Sequence, residues 1–134
     1  MRAERSHWPE EVVLGPFEVA AGAADIAAFA AAVGGPATEP PPTFPVAWLS
    51  SPQMKAALRA AVGPDHLPVH ESQSFDYAHP LRVGAAYRLT AVARREGAPE
   101  RLTVDVDVVE TTGAPVVTMR AVLRLVPLAG GQAA

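Results

Sequence analysis

The chain has 134 residues, 49% of them apolar and 19% charged, with a formal net charge of −3 and no cysteine. That length suits one domain with a sizeable core, and the lack of cysteine excludes disulfides, thiol nucleophiles and cysteine-ligated metals. No basic run exceeds Arg94-Arg95, so a nucleic-acid stripe is missing; the longest apolar stretch, the alanine-rich 19–34, is interrupted by Asp25 and too short to span a bilayer.

The opening MRAERSHWPEE is charged and has no apolar h-region, so it does not read as a signal peptide. Residues 1–14 are expected to form a flexible leader, followed by a short extended segment, GPFEVA (15–20). AGAADIAAFAAAVGG then reads as a helix with Ile26, Phe29 and Val33 on one stripe and Gly34-Gly35 as its stop. Alanine gives it high propensity but little to pack. PATEPPPTFP (36–45) is a rigid connector, because successive prolines enforce extended backbone and remove donors.

VAWLSSPQMKAALRAAVG (46–63) holds the main helix, with Ser51 as a cap, Pro52 in the first turn and Gly63-Pro64 at the end. Met54, Leu58 and Ala61 or Val62 make its apolar face. From residue 68 the period becomes two. PVHESQSFDYAHP reads as a strand with Val69, Glu71, Gln73, Phe75 and Tyr77 on one side, and His70, Ser72, Ser74 and Asp76 on the other. Strands 85–96, 101–110 and 114–128 follow as an antiparallel meander, and 128–134 is expected to be a disordered tail. An antiparallel sheet wrapped about one long helix is an α+β arrangement, with one sheet edge expected to be covered by a second chain. The low charge agrees with a partly covered surface.

Three stretches carry a resemblance: DIAAFAAAVGG (25–35), PPTFPVAWL (41–49) and HESQSFDYAHPLRVGAAYRL (70–89). In them the chain resembles the MaoC-like hydratase/dehydratase family, and specifically its N-terminal, non-catalytic half, as in FAS1-like dehydratase domain proteins. The likeness covers roughly residues 15 to 127. It implies a single hotdog fold, ligands that are acyl thioesters of coenzyme A or acyl carrier protein, no further cofactor, and pairing of two hotdogs with their sheets joined. Catalytic members carry a D-x-N-P-x-H motif just before the central helix. There a carboxylate and an imidazole handle the water and proton of enoyl-thioester hydration, while a backbone N–H near a helix start polarises the carbonyl. The corresponding stretch here, GGPATEPPPTFP, has no Asp, Asn or His. Ala85 also replaces the aspartate that family members place after the glycine at Gly84.

Two other pairs remain as candidates. Asp65 and His70 have the motif's spacing but follow the long helix, so a strand start is the competing reading; Asp76 and His79 sit at a strand end, where a local hydrogen bond before Pro80 explains them. His66 is expected in solvent and His7 in the leader. None of these residues shows a recognised metal-ligand spacing. Phe44, Trp48, Leu49, Phe75 and Tyr77 can line a substrate pocket or partner interface as well as pack the core, with the Trp48 indole donating to a backbone carbonyl. Arg82, Arg88, Arg94, Arg95, Arg120 and Arg124 can meet ligand phosphates, but they also suit an ordinary surface.

The expected function is a non-catalytic hotdog subunit of an enoyl-thioester hydratase or 3-hydroxyacyl-thioester dehydratase, a lyase of lipid metabolism. It would complete the pocket of a catalytic MaoC-like partner, without nucleic acid or membrane, in the cytoplasm. Two alternatives stand beside it: a homodimeric hydratase or thioesterase using Asp65/His70 or Asp76/His79, and a non-enzymatic acyl-CoA-binding protein.

Overall fold

The strict alternation Leu102, Val104, Val106, Val108 places four fully buried side chains on one face of a strand, and that strand becomes the centre of the sheet. In the computed structural model, which describes residues 11–34, 39–97 and 100–128, the elements run β1 (Glu11–Ala20), α1 (Ala23–Val33), α2 (Val46–Leu49), α3 (Pro52–Val62), β2 (His66–Tyr77), β3 (Ala86–Glu96), β4 (Arg101–Glu110) and β5 (Pro115–Pro127). The five strands form one sheet in the order β1-β3-β4-β5-β2, and every pairing is antiparallel. The meander of β3, β4 and β5 is the one the alternation predicts.

The core lies between the concave face of this sheet and the helices. Tyr87, Leu89, Ala91 and Ala93 of β3 join the β4 valines there, with Met119, Ala121 and Leu125 of β5. Met54, Ala61 and Val62 of α3 close the layer from above. Full burial of each large side chain contributes about 1.5–3 kcal/mol relative to exposure, which makes this face the main source of stability.

Three local features differ from the sequence expectation. The stretch 46–63 is two helices, because Pro52 lacks the N–H that would bond the Trp48 carbonyl four residues back. Ser51 begins the new helix, its Oγ accepting from the Met54 N–H at 3.3 Å. In α1 the buried residues are Ile26 and Ala30, while Val33 is 54% exposed; the helix reaches the core only through its middle turns. It stops at Gly34, whose φ of 84° suits a residue without a side chain.

The first strand begins at Glu11, inside the stretch assigned to a leader. Val12 lies opposite Ala93 and Val13 opposite Val92, and Leu14 is buried in the core. A register shift between Leu14 and Phe17 interrupts the simple alternation and hides this strand from a reading by period. His7, the rest of the expected leader and residues 129–134 of the expected tail lie outside the described residues. Among the described residues, no helix is long and apolar enough to cross a membrane.

Candidate functional site

The aromatic entry to α2 packs as a connected group. Phe44 meets Phe29 and Trp48 edge-on, with ring centroids 5.6 Å apart in both cases, and Trp48 lies 6.0 Å from Tyr87. The Trp48 indole N–H donates to the Ala20 carbonyl at 3.2 Å, the backbone acceptor expected of a buried tryptophan. Tyr87 was not singled out by the sequence, although it is 2% exposed and its hydroxyl accepts the Arg82 N–H at 2.9 Å. Its place on the buried face of β3 was the available signal. Phe44 and Trp48 also form the floor of an open groove of about 830 Å³ between α1 and the end of β1, rimmed by Glu18 and Asp25.

Strand β2 brings the second group together. A register shift between His70 and Ser72 leaves Glu71 without a place in the pairing: His70 lies opposite Leu123, Ser72 opposite Val122, Gln73 opposite Ala121, Phe75 opposite Met119 and Tyr77 opposite Val117. The bulge therefore puts His70 on the same concave face as Gln73, Phe75 and Tyr77, where alternation alone set it on the other. Glu71 turns to the convex face and pairs with Arg101 at 2.6 Å and Arg124 at 3.5 Å. One inserted residue reverses a face, which uninterrupted period-two reading misses.

His70 lines a small chamber of about 140 Å³ beneath α2 and α3, with Leu49, Leu58, Val104 and Ala121 among its walls. Beside it, the Gln73 amide is buried with neither its oxygen nor its nitrogen bonded among the described residues. Tyr77 donates its hydroxyl to the Pro42 carbonyl at 2.5 Å and so ties the strand end to the proline connector. Burial, followed by the neighbouring Tyr87, pushes the Tyr77 phenol up to about 12. Leu49, Phe75 and Tyr77 are half-buried around the core.

The two acid–histidine pairs are placed differently. Asp65 lies in the turn before β2, where its backbone carbonyl accepts from Leu128, and no hydrogen bond or ion pair joins its carboxylate to His70 among the described residues. Asp76 faces outward opposite Thr118 in a groove with Asp105 and Arg120. His79 lines a separate recess of about 260 Å³ with Pro40, Pro42 and Tyr77. Asp76 and His79 thus line different recesses. His66 is not free in solvent: its Nε2 is 3.2 Å from Glu100 and its Nδ1 3.4 Å from Arg95, which also donates to the last carbonyls of α3 at Ala61 and Val62.

Most of the arginines are committed to carboxylates. Asp105 holds Arg94 and Arg120, each at 2.6 Å. Hydrogen bonding from Arg120, and secondarily from Arg94, keeps the Asp105 carboxyl below its ordinary value against the opposing effect of burial. Arg82 approaches Glu110 and Arg95 pairs with Glu100. Among the described residues, no group of three or more histidines and carboxylates gathers as a metal site would require.

A curved five-stranded antiparallel sheet whose concave face holds a central helix defines the hotdog class. The family described as FAS1-like, dehydratase domain region matches residues 17–119, and the chain belongs to it. One similar solved structure is a C-terminally truncated HadBC (3R-hydroxyacyl-ACP dehydratase) complex from Mycobacterium tuberculosis, with a TM-score of 0.70 at 16% identity over 85% of this chain and 95% of that one. Another is a hot-dog-like protein from Thermanaerovibrio acidaminovorans, with a TM-score of 0.69 at 11% identity over 96% and 91%. The (R)-hydratase from A. caviae involved in PHA biosynthesis aligns with a TM-score of 0.51 at 21% identity over 87% and 94%. These likenesses establish the hotdog fold. No curated protein matches the sequence.

Proposed function

We propose that this chain is a non-catalytic hotdog subunit of an enoyl-thioester hydratase or 3-hydroxyacyl-thioester dehydratase, and that it completes the acyl-thioester pocket of a catalytic MaoC-like partner. The observation that carries the reading is the stretch before α2. Where the resembled enzymes hold an aspartate and a histidine, this chain has GGPATEPPPTFP, which contains no aspartate, asparagine or histidine; its one titratable side chain is Glu39, so the imidazole of the pair has no counterpart there. Its family membership supplies the reaction class.

Strand β2 supports the pairing. It is twelve residues long, stands at the sheet edge, and exposes Leu67 by 52% and Val69 by 45%. A long free edge is a template for another strand, and a second hotdog joined there extends the sheet. The concave residues Phe75 and Tyr77 would then face the shared pocket, with acyl-CoA or acyl carrier protein as the ligand. His70, which lines a chamber under the central helices, keeps a second reading in view: a self-paired hydratase or thioesterase that uses it.

The test is hydration of a trans-2-enoyl-CoA by the purified chain and by the chain co-expressed with a catalytic MaoC-like protein. The proposal expects background rate from the chain alone and turnover from the mixture. Turnover by the chain alone that disappears in His70→Ala would replace it with the second reading.

A further inference from the structure

The chamber beneath α2 and α3 is not isolated. A second cavity of about 570 Å³ lies between α3 and the start of β2, and the two share Leu58, His70 and Leu123 as walls. Together they run along α2 and α3, from Val46 to Arg59. The chamber end is mainly apolar, closed by Val46, Leu49, Val104 and Ala121. The open end carries Lys55, Arg59 and His66; among the described residues no carboxylate lines either cavity, and Glu100, which touches His66, is itself paired with Arg95. On a chain of net charge −3, that concentration of one sign calls for a cause.

Ion pairing does not supply one. Among the described residues, Arg82, Arg94, Arg95, Arg101, Arg120 and Arg124 each pair with a carboxylate. Lys55, Arg59 and Arg88 have no such partner among the described residues, and two of these three stand at the mouth of this groove. Arg59 also complements the C-terminal end of α3, but Lys55 lies a turn earlier and gains less from it. His66 is held in place by Glu100 and Arg95 and forms a fixed wall of the mouth.

We propose that the groove between α3 and β2 binds an aliphatic chain ending in an anionic group, with the aliphatic part in the chamber against Leu58 and Leu123 and the anion at Lys55 and Arg59. The shared chemistry is a carboxylate or phosphate on a flexible apolar arm, from a free fatty acid or from a thioester's phosphate-bearing carrier arm. The second source rests on the function proposed above; the site itself does not.

The experiment is calorimetric titration of the full chain with octanoate, octanoyl-CoA and octanol, repeated on the double variant Lys55→Glu/Arg59→Glu. Both substituted residues are exposed, so the fold should persist, and an unchanged thermal midpoint would verify it. At least one anionic ligand should bind more tightly than octanol, and charge reversal should weaken it about tenfold or more, the worth of one charge-assisted hydrogen bond. Leu58→Trp, which narrows the passage between the cavities, should weaken the same ligand without altering the charge. Binding of octanoate alone assigns the carboxylate, binding of octanoyl-CoA alone assigns the phosphate, and either upholds the site. No binding of an anionic ligand, or binding indifferent to charge reversal, overturns it. Enoyl-CoA hydration by the mixture with an unchanged KM in the double variant would overturn the thioester assignment and leave the subunit function standing. Anion binding without hydration by any mixture would do the reverse.

Discussion

Tyr77 shows how much one side chain can link. Its ring sits on the concave face and its hydroxyl holds the Pro42 carbonyl, so the residue joins the edge strand to the connector that precedes α2. The folded state raises its phenol from 10.0 to about 12, which means the neutral form is favoured in the fold. That stability is complete below pH 10 and is lost as pH rises toward 12, because the unfolded chain releases its proton first. Tyr77→Phe should therefore cost about 1 kcal/mol at neutral pH through the lost hydrogen bond. Its deficit against the parent should shrink as pH rises from 10 toward 12, read from denaturant midpoints. A deficit independent of pH would show that the phenol does not titrate differently in the two states. The sequence placed Tyr77 in the pocket or interface set, and its bond to a proline carbonyl 35 residues away was invisible there because it depends on how the connector folds back.

At the scale of elements, caps and alternation were legible and interruptions were not. Ser51, Pro52 and Gly63 marked α3 correctly, since capping and chain termination are local. The early start of β1 and the bulge at His70 to Ser72 arise where strand pairing overrides an even period, while the break after Leu49 follows from the donor that Pro52 lacks. The bulge matters most for function, because it selects which side of β2 faces the helices. It also positions Gln73, whose buried amide has no partner among the described residues. A buried amide without a partner is costly, and a second hotdog beside β2 offers a source of one. Gln73→Met should stabilise the isolated chain by about 1 kcal/mol in denaturant unfolding and weaken its association with the partner. Destabilisation of the isolated chain would mean that the amide already has a partner within it.

At the scale of the whole molecule, the proposal is that the chain forms one half of a working unit. Its core is complete, with the central helices seated on the concave face, yet its last edge strand is free and a chamber opens under the helix. The fold class followed from the sequence because alternating strands and one capped helix leave few other packings. The strand order β1-β3-β4-β5-β2 did not, since nothing local tells β2 to cross the sheet and pair with β5. The proposed subunit role stands on what precedes α2, where the aspartate and histidine of the resembled motif are missing, and on the edge, where pairing is possible. The most direct measurement is a titration of this chain into a fixed amount of a catalytic MaoC-like partner while following enoyl-CoA hydration. The account predicts a rate that rises and saturates at equal molar amounts of the two chains, with the chain alone at background. A partner already at full rate before any addition, or a rate proportional to this chain without saturation, would contradict it.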